Sequence, residues 1–95
     1  MELDREISRG QRAAEILDSD LYIEAFDMLK TRLMQQWAES PARDKEGRES
    51  LWLMTRLLEN VQGHLAEIMQ TGKMARVQLE QQSLFDKIKN TVGID

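Results

Sequence analysis

Three observations predict an all-α fold. Leu51, Met54, Leu58, Val61, Leu65 and Ile68 recur at alternating three- and four-residue intervals, which sets six apolar side chains on one stripe of a helix and makes a seam for a neighbouring helix. β-Branched residues are sparse and no segment alternates apolar and polar for long, so strands have no support. Pro41, the single proline, comes directly after Ser40 between two helical patterns and marks a reversal of the chain. The expected architecture is an antiparallel helical hairpin with an additional N-terminal helix and a short C-terminal helix, completed by oligomerisation.

Each element has its own signals. Leu3, Ile7, Gly10, Ala14 and Leu17 carry the three-four rhythm through a charged first helix, whose interior Gly10 weakens it by about 1 kcal/mol relative to Ala. That helix is expected to lean on another element. Asp18-Ser19-Asp20 offers three N-cap residues in a row, so either a second helix restarts there or the first runs on through a slight break. Tyr22, Phe26, Leu29, Leu33 and Trp37 stripe the next helix, with Lys30, Arg32 and Gln35 assigned to its far side. Ser40-Pro41 ends it, and the pair can also start the next helix.

The third helix is expected from about Asp44 through the ladder to Thr71. Gly72-Lys73 there reads either as a stop or as a tolerated interior glycine, and Ala75 and Leu79, in phase with the ladder, favour continuation or a short break. Beyond a Gln-rich stretch, Ser83 with Asp86 resembles a capping box. A brief terminal helix is expected from there, with Leu84, Phe85, Ile88 and Val92 as its apolar face. The domain reading is therefore a hairpin or bundle over residues 1–79 and a C-terminal arm over 80–95 that docks on a partner.

Composition narrows the function. At 95 residues the chain is one small domain, near the size at which self-association helps stability. It has no cysteine, which removes disulfides and thiolate metal sites and, with no basic-then-apolar leader pattern, favours a reducing compartment. The longest apolar run, Leu51-Trp52-Leu53-Met54, is far short of the roughly 20 residues a bilayer requires. The net charge of −4 arises wholly within residues 1–39, where nine acids face five bases. No basic stripe is present, so nucleic-acid binding is not expected.

Acidic pairs and a lone histidine are the candidates for chemistry. Glu46 and Glu49 form an E-x-x-E pair such as helical nucleotide pyrophosphohydrolases use to hold Mg²⁺, but a second downstream pair is missing: Glu15 with Asp18 lies upstream, and Glu67 is followed by Gln70. An acidic first turn is also what helix capping produces. His64, the only histidine, cannot form a zinc site alone, and is read as an edge-of-core residue. Of the six methionines, the four flank residues Met28, Met34, Met69 and Met74 are read as core filling. No cofactor, metal or catalytic residue is assigned.

Leu51-Trp52-Leu53-Met54 covers more than one helical turn, so one neighbour cannot bury all four. Either Trp52 and Leu53 meet a partner or the N-terminal helix covers them. The expected interface is Leu51, Trp52, Leu53, Met54, Leu58, Val61, Leu65 and Ile68, with Leu84, Phe85 and Ile88 on the arm.

Arg43-Asp44, Arg48-Glu49, Leu51-Trp52 and Gly72-Lys73 with Ala75, preceded by Ala25-Phe26 and Trp37, are similar to a pattern of small helical proteins encoded among the head and packaging genes of tailed bacteriophages and prophages. The resemblance spans residues 20–79. It implies a non-enzymatic phage protein acting through protein contacts in virion assembly or maturation, as scaffold, chaperone or minor structural component. Its partners would be further copies of itself and another phage or host protein, in the cytoplasm of the bacterial host or in the virion. The acidic N-terminal half also suits a phage-encoded inhibitor of a host protein.

Overall fold

A computed structural model describes residues 2–92. Met1 and residues 93–95 lie outside the described residues, as does the side chain of Val92, one member of the expected terminal face. The described chain is all-α: three helices, α1 (Glu2–Leu17), α2 (Asp20–Glu39) and α3 (Lys45–Val92), and no strand.

Local chemistry sets the breaks. Ser19 leaves helical geometry and its hydroxyl accepts from the Tyr22 N–H, so α2 restarts there. Ser40 closes α2 in extended conformation, its N–H and its hydroxyl both donating to the Trp37 carbonyl. Pro41 then sits in the connecting turn and starts no helix. Asp44 caps α3, its carboxylate accepting from the Gly47 N–H at 3.0 Å; the helix begins one residue later than its cap.

α3 carries the whole molecule. Its 48 residues amount to about 72 Å of helix, and the molecule measures 79 × 25 × 17 Å. Positions along it are met in descending order of α2 and α1. Arg48 meets Ser40, Lys30 meets Gln62, and Gly10 meets Gly72. The shorter helices thus succeed one another along a single long one, α2 beside its first half and α1 beside residues 65–79.

The α1–α3 crossing is built from small residues. A methyl placed on Gly10 would stand 2.8 Å from the Gly72 Cα and 3.1 Å from the Ile68 carbonyl oxygen, so only glycine lets the backbones approach this closely. Gly10, Ala13, Gly72 and Ala75 are the buried residues of the described chain. Gly72 is therefore not a helix stop. It is the point where α1 crosses, and α3 runs straight through it.

The structure corrects several expectations. No separate C-terminal helix starts at Ser83: α3 is continuous to Val92, because no Gly or Pro comes after Gly72 up to that point and Gln propagates a helix well. The ladder does not face one neighbour. Leu51, Leu58 and Leu65 are half-buried along with Thr55, Gln62 and Met69, a four-three seam beneath α2 and the end of α1. Met54 and Val61 lie some 60–80° round the helix from that line and are exposed, while Ile68 is half-buried. Lys30 is not on the far side of α2, since its ammonium donates to Gln62 Oε1 across the seam. His64 is exposed, 3.6 Å from Glu67 on the same helix, and of the four flank methionines only Met69 is half-buried. Lys30 lies only about 60° round α2 from the Tyr22–Trp37 line, and the exposure of the rest has one reason: no second layer covers α2 and α3.

Candidate functional site

Arg48 organises the turn end of the molecule. Its guanidinium donates to the Trp37 carbonyl at 3.1 Å, to the Ser40 carbonyl at 3.2 Å and to the Ser40 hydroxyl at 2.9 Å, and lies 3.9 Å above the Trp37 ring. One side chain thereby supplies a donor to the Ser40 carbonyl, adds a further one to the Trp37 carbonyl that Ser40 already caps, and stacks on an aromatic face. The stack holds Trp37, which with Trp52, Leu33, Met34, Ala38 and Thr55 lines an open, mostly apolar groove. The Arg56 guanidinium lies 5.8 Å from the centre of the Trp52 ring.

A second groove lies across the seam. Leu29, Leu33, Met54, Leu57, Leu58 and Val61 line it, with almost no polar atom exposed among them. Leu33 is shared, so α2 and α3 present apolar surface on both flanks of one contact. The Tyr22 and Phe26 rings pack against each other on α2, centroids 4.5 Å apart, and the buried Tyr22 hydroxyl has no hydrogen-bond partner in the described chain.

The third surface is the free end of α3. From residue 80 to 91 every side chain is exposed, including Leu84, Phe85 (69% exposed) and Ile88. Met74 and Val77 extend that apolar stripe back alongside α1. At 100° per residue these positions lie on the side of α3 opposite Gly72, Ala75 and Leu79, so α1 cannot reach them.

The expected interface residues therefore separate into three groups. Leu51, Leu58 and Leu65 belong to the intrachain seam, and half-buried Ile68 lies with Leu65 beside Ala13 and Ile16 of α1. Met54 and Val61 line the second groove, and Trp52 the first; Trp52 and Leu53 are both exposed. α1 does not cover them, because it lies beside residues 65–79 and leaves the turn end to α2. Leu84, Phe85 and Ile88 stand on the free end. Periodicity missed Met34, Met74 and Val77, although Met74, Val77, Leu84 and Ile88 share a phase that could have joined them.

Among the described residues no group of three or more His, Cys, Asp and Glu side chains is gathered as a metal site. Glu46 and Glu49 are exposed on the first turns of α3. No described helix is long and apolar enough to cross a membrane. The fold and geometry define an all-α chain whose candidate site is open apolar surface on a long helix. Comparison with models of known families, with curated proteins and with solved structures finds no significant match.

Proposed function

We propose that this chain is a self-associating helical hairpin that acts through protein contacts, without catalysis of its own, in the assembly or maturation of a tailed-phage particle. One observation carries the self-association. The chain exposes 7821 Å², whereas a compact monomer of 11.1 kDa exposes about 5,700 Å². The surplus is about 2,100 Å², and the exposed surface includes Leu, Met and both Trp side chains over which a monomer has no second layer to place. Trp37, stacked under Arg48, and Trp52, which lines the same groove, are the kind of aromatic anchors on which interfaces concentrate their energy. The phage setting rests on the resemblance over residues 20–79. Its partners are further copies of the chain and a phage or host protein, in the host cytoplasm or the virion.

Sedimentation equilibrium over a wide concentration range tests the association, and a mass near 11 kDa throughout would remove it. The setting is tested by the neighbouring genes: portal, capsid or terminase genes support assembly, and their absence overturns it.

A further inference from the structure

The surplus area is more than twice the roughly 800 Å² per partner that one standard interface covers, so the grooves beside α2 do not account for all of it. The free end of α3 is exposed throughout from residue 80 to 91, and its sequence is patterned. Taking Met74 as position a of a heptad puts Met74, Gln81 and Ile88 at a and Val77, Leu84 and Thr91 at d, all exposed in the single chain. The Thr91 hydroxyl is turned onto the Lys87 carbonyl of its own helix at 2.8 Å, which leaves its methyl group for the seam. One flank of this stripe, position g, reads Lys73, Glu80, Lys87, with charges alternating every seven residues. Among the described residues the ion pairs are Arg56–Glu59 and His64–Glu67, so Glu80 and Lys87 have no ionic partner there.

We propose that the free end of α3 pairs antiparallel with the same segment of a second copy, in the register that sets Glu80 against Lys87 of the other chain on both sides of the two-fold axis. This inference deepens the self-association reading and rests on it. The charges select both direction and register. In a parallel pair, g faces e, and Glu80 would then meet Phe85 with no charge to answer it. Shifting the antiparallel pair one heptad toward the C-terminus sets Lys87 against Lys87, and shifting it one heptad the other way sets Glu80 against Glu80. The chosen register stacks Val77 on Ile88 and Gln81 on Leu84, each twice. The two Gln81 amides fall in adjacent central layers, where a polar a residue fixes register at some loss of strength.

Charge reversal in the full chain tests this, because Glu80 and Lys87 are both exposed and lie beyond the stretch that α1 and α2 cover. E80K alone and K87E alone each turn two attractive pairs into two repulsive ones, and each should weaken self-association by about 5- to 30-fold. An equimolar mixture of the two variants should associate as strongly as the parent, and so should the single chain carrying E80K with K87E. Sedimentation equilibrium at low salt reads all four. Unchanged association of the single variants, or failure of the mixture to recover, overturns the antiparallel pairing while the parent's self-association stands. A parent that is monomeric at every concentration overturns both readings.

Discussion

Replacing glycine by alanine should give opposite signs at two places on the same helix. At Gly63 a methyl group meets nothing within 4 Å, so Gly63→Ala gains only the helix-propensity difference, about 1 kcal/mol. The same gain operates at Gly10 and Gly72, but there the methyl would lie 2.8 Å from the opposing Cα, where carbon atoms rest about 3.5–4.0 Å apart. Relief requires α1 and α3 to part by about 1 Å, and a gap of that size forfeits about a quarter to a half of each contact's attraction along the crossing. Overpacking costs about 1–3 kcal/mol, and the obstacle here is backbone, which cannot rotate away, so the upper part of that range applies. The net effect of Gly10→Ala or Gly72→Ala is a loss of about 2 kcal/mol. For a domain of this size that lowers Tm by about 8–16 °C, while Gly63→Ala raises it by about 4–8 °C. Circular dichroism melts must be run at one protein concentration, because association shifts Tm by mass action. A Gly10→Ala chain melting at or above the parent would show that the two backbones do not meet.

Leu58→Ala, in the half-buried seam, should destabilise by about 2 kcal/mol; Glu59→Ala, whose carboxylate only pairs with exposed Arg56, should stay within about 0.5. Equal effects in urea titrations would place the seam on the wrong face. Tyr22→Phe removes a buried hydroxyl that has no partner and should leave stability unchanged or raise it by up to about 1 kcal/mol; a clear loss in the same titrations would mean that the hydroxyl is satisfied in solution.

The parts of the fold legible in the sequence are those that local chemistry decides. The Ser40 stop and the stripe of α1 arise from capping groups and 3.6-residue periodicity and are present; of the two readings at Ser19 the restart is the one found, and the stripe of α2 holds at Tyr22, Phe26 and Leu33 while Leu29 and Trp37 are exposed. Which helix meets which stretch of α3 was not legible, because periodicity marks a face without naming its neighbour. Gly72 shows the difficulty: the same residue serves as a helix stop or as a crossing point, and only the approach of α1 decides. Thr55 and Gln62 sit in the real seam, yet as polar residues they carry no signal in an apolar ladder. Ser83 and Asp86 obey a capping rule that helix propagation overrides. Trp52 and Leu53 were recognisable as surplus apolar surface because they extend beyond what one neighbour covers; Met74 and Val77 were not, because a glycine and a Gln-rich stretch hide their shared phase with Leu84 and Ile88.

Because α3 is one unbroken helix, distance and direction along it are tied together. Trp52 near the turn and Phe85 near the tip are separated by about 50 Å of rise, and each inserted residue adds 1.5 Å while rotating everything beyond it by 100°. A one-residue insertion between Leu79 and Gln81 would swing the tip by more than a quarter of a revolution relative to the grooves beside α2, although no contact of α1 or α2 need break. A seven-residue insertion would instead lengthen the rod by about 10.5 Å and return its tip to within about 20° of the original bearing. Length variation in chains built on this plan should therefore favour steps such as seven, eleven or eighteen residues that bring the tip back near its bearing, and a step of one or two would alter where the tip points before it altered whether the protein folds.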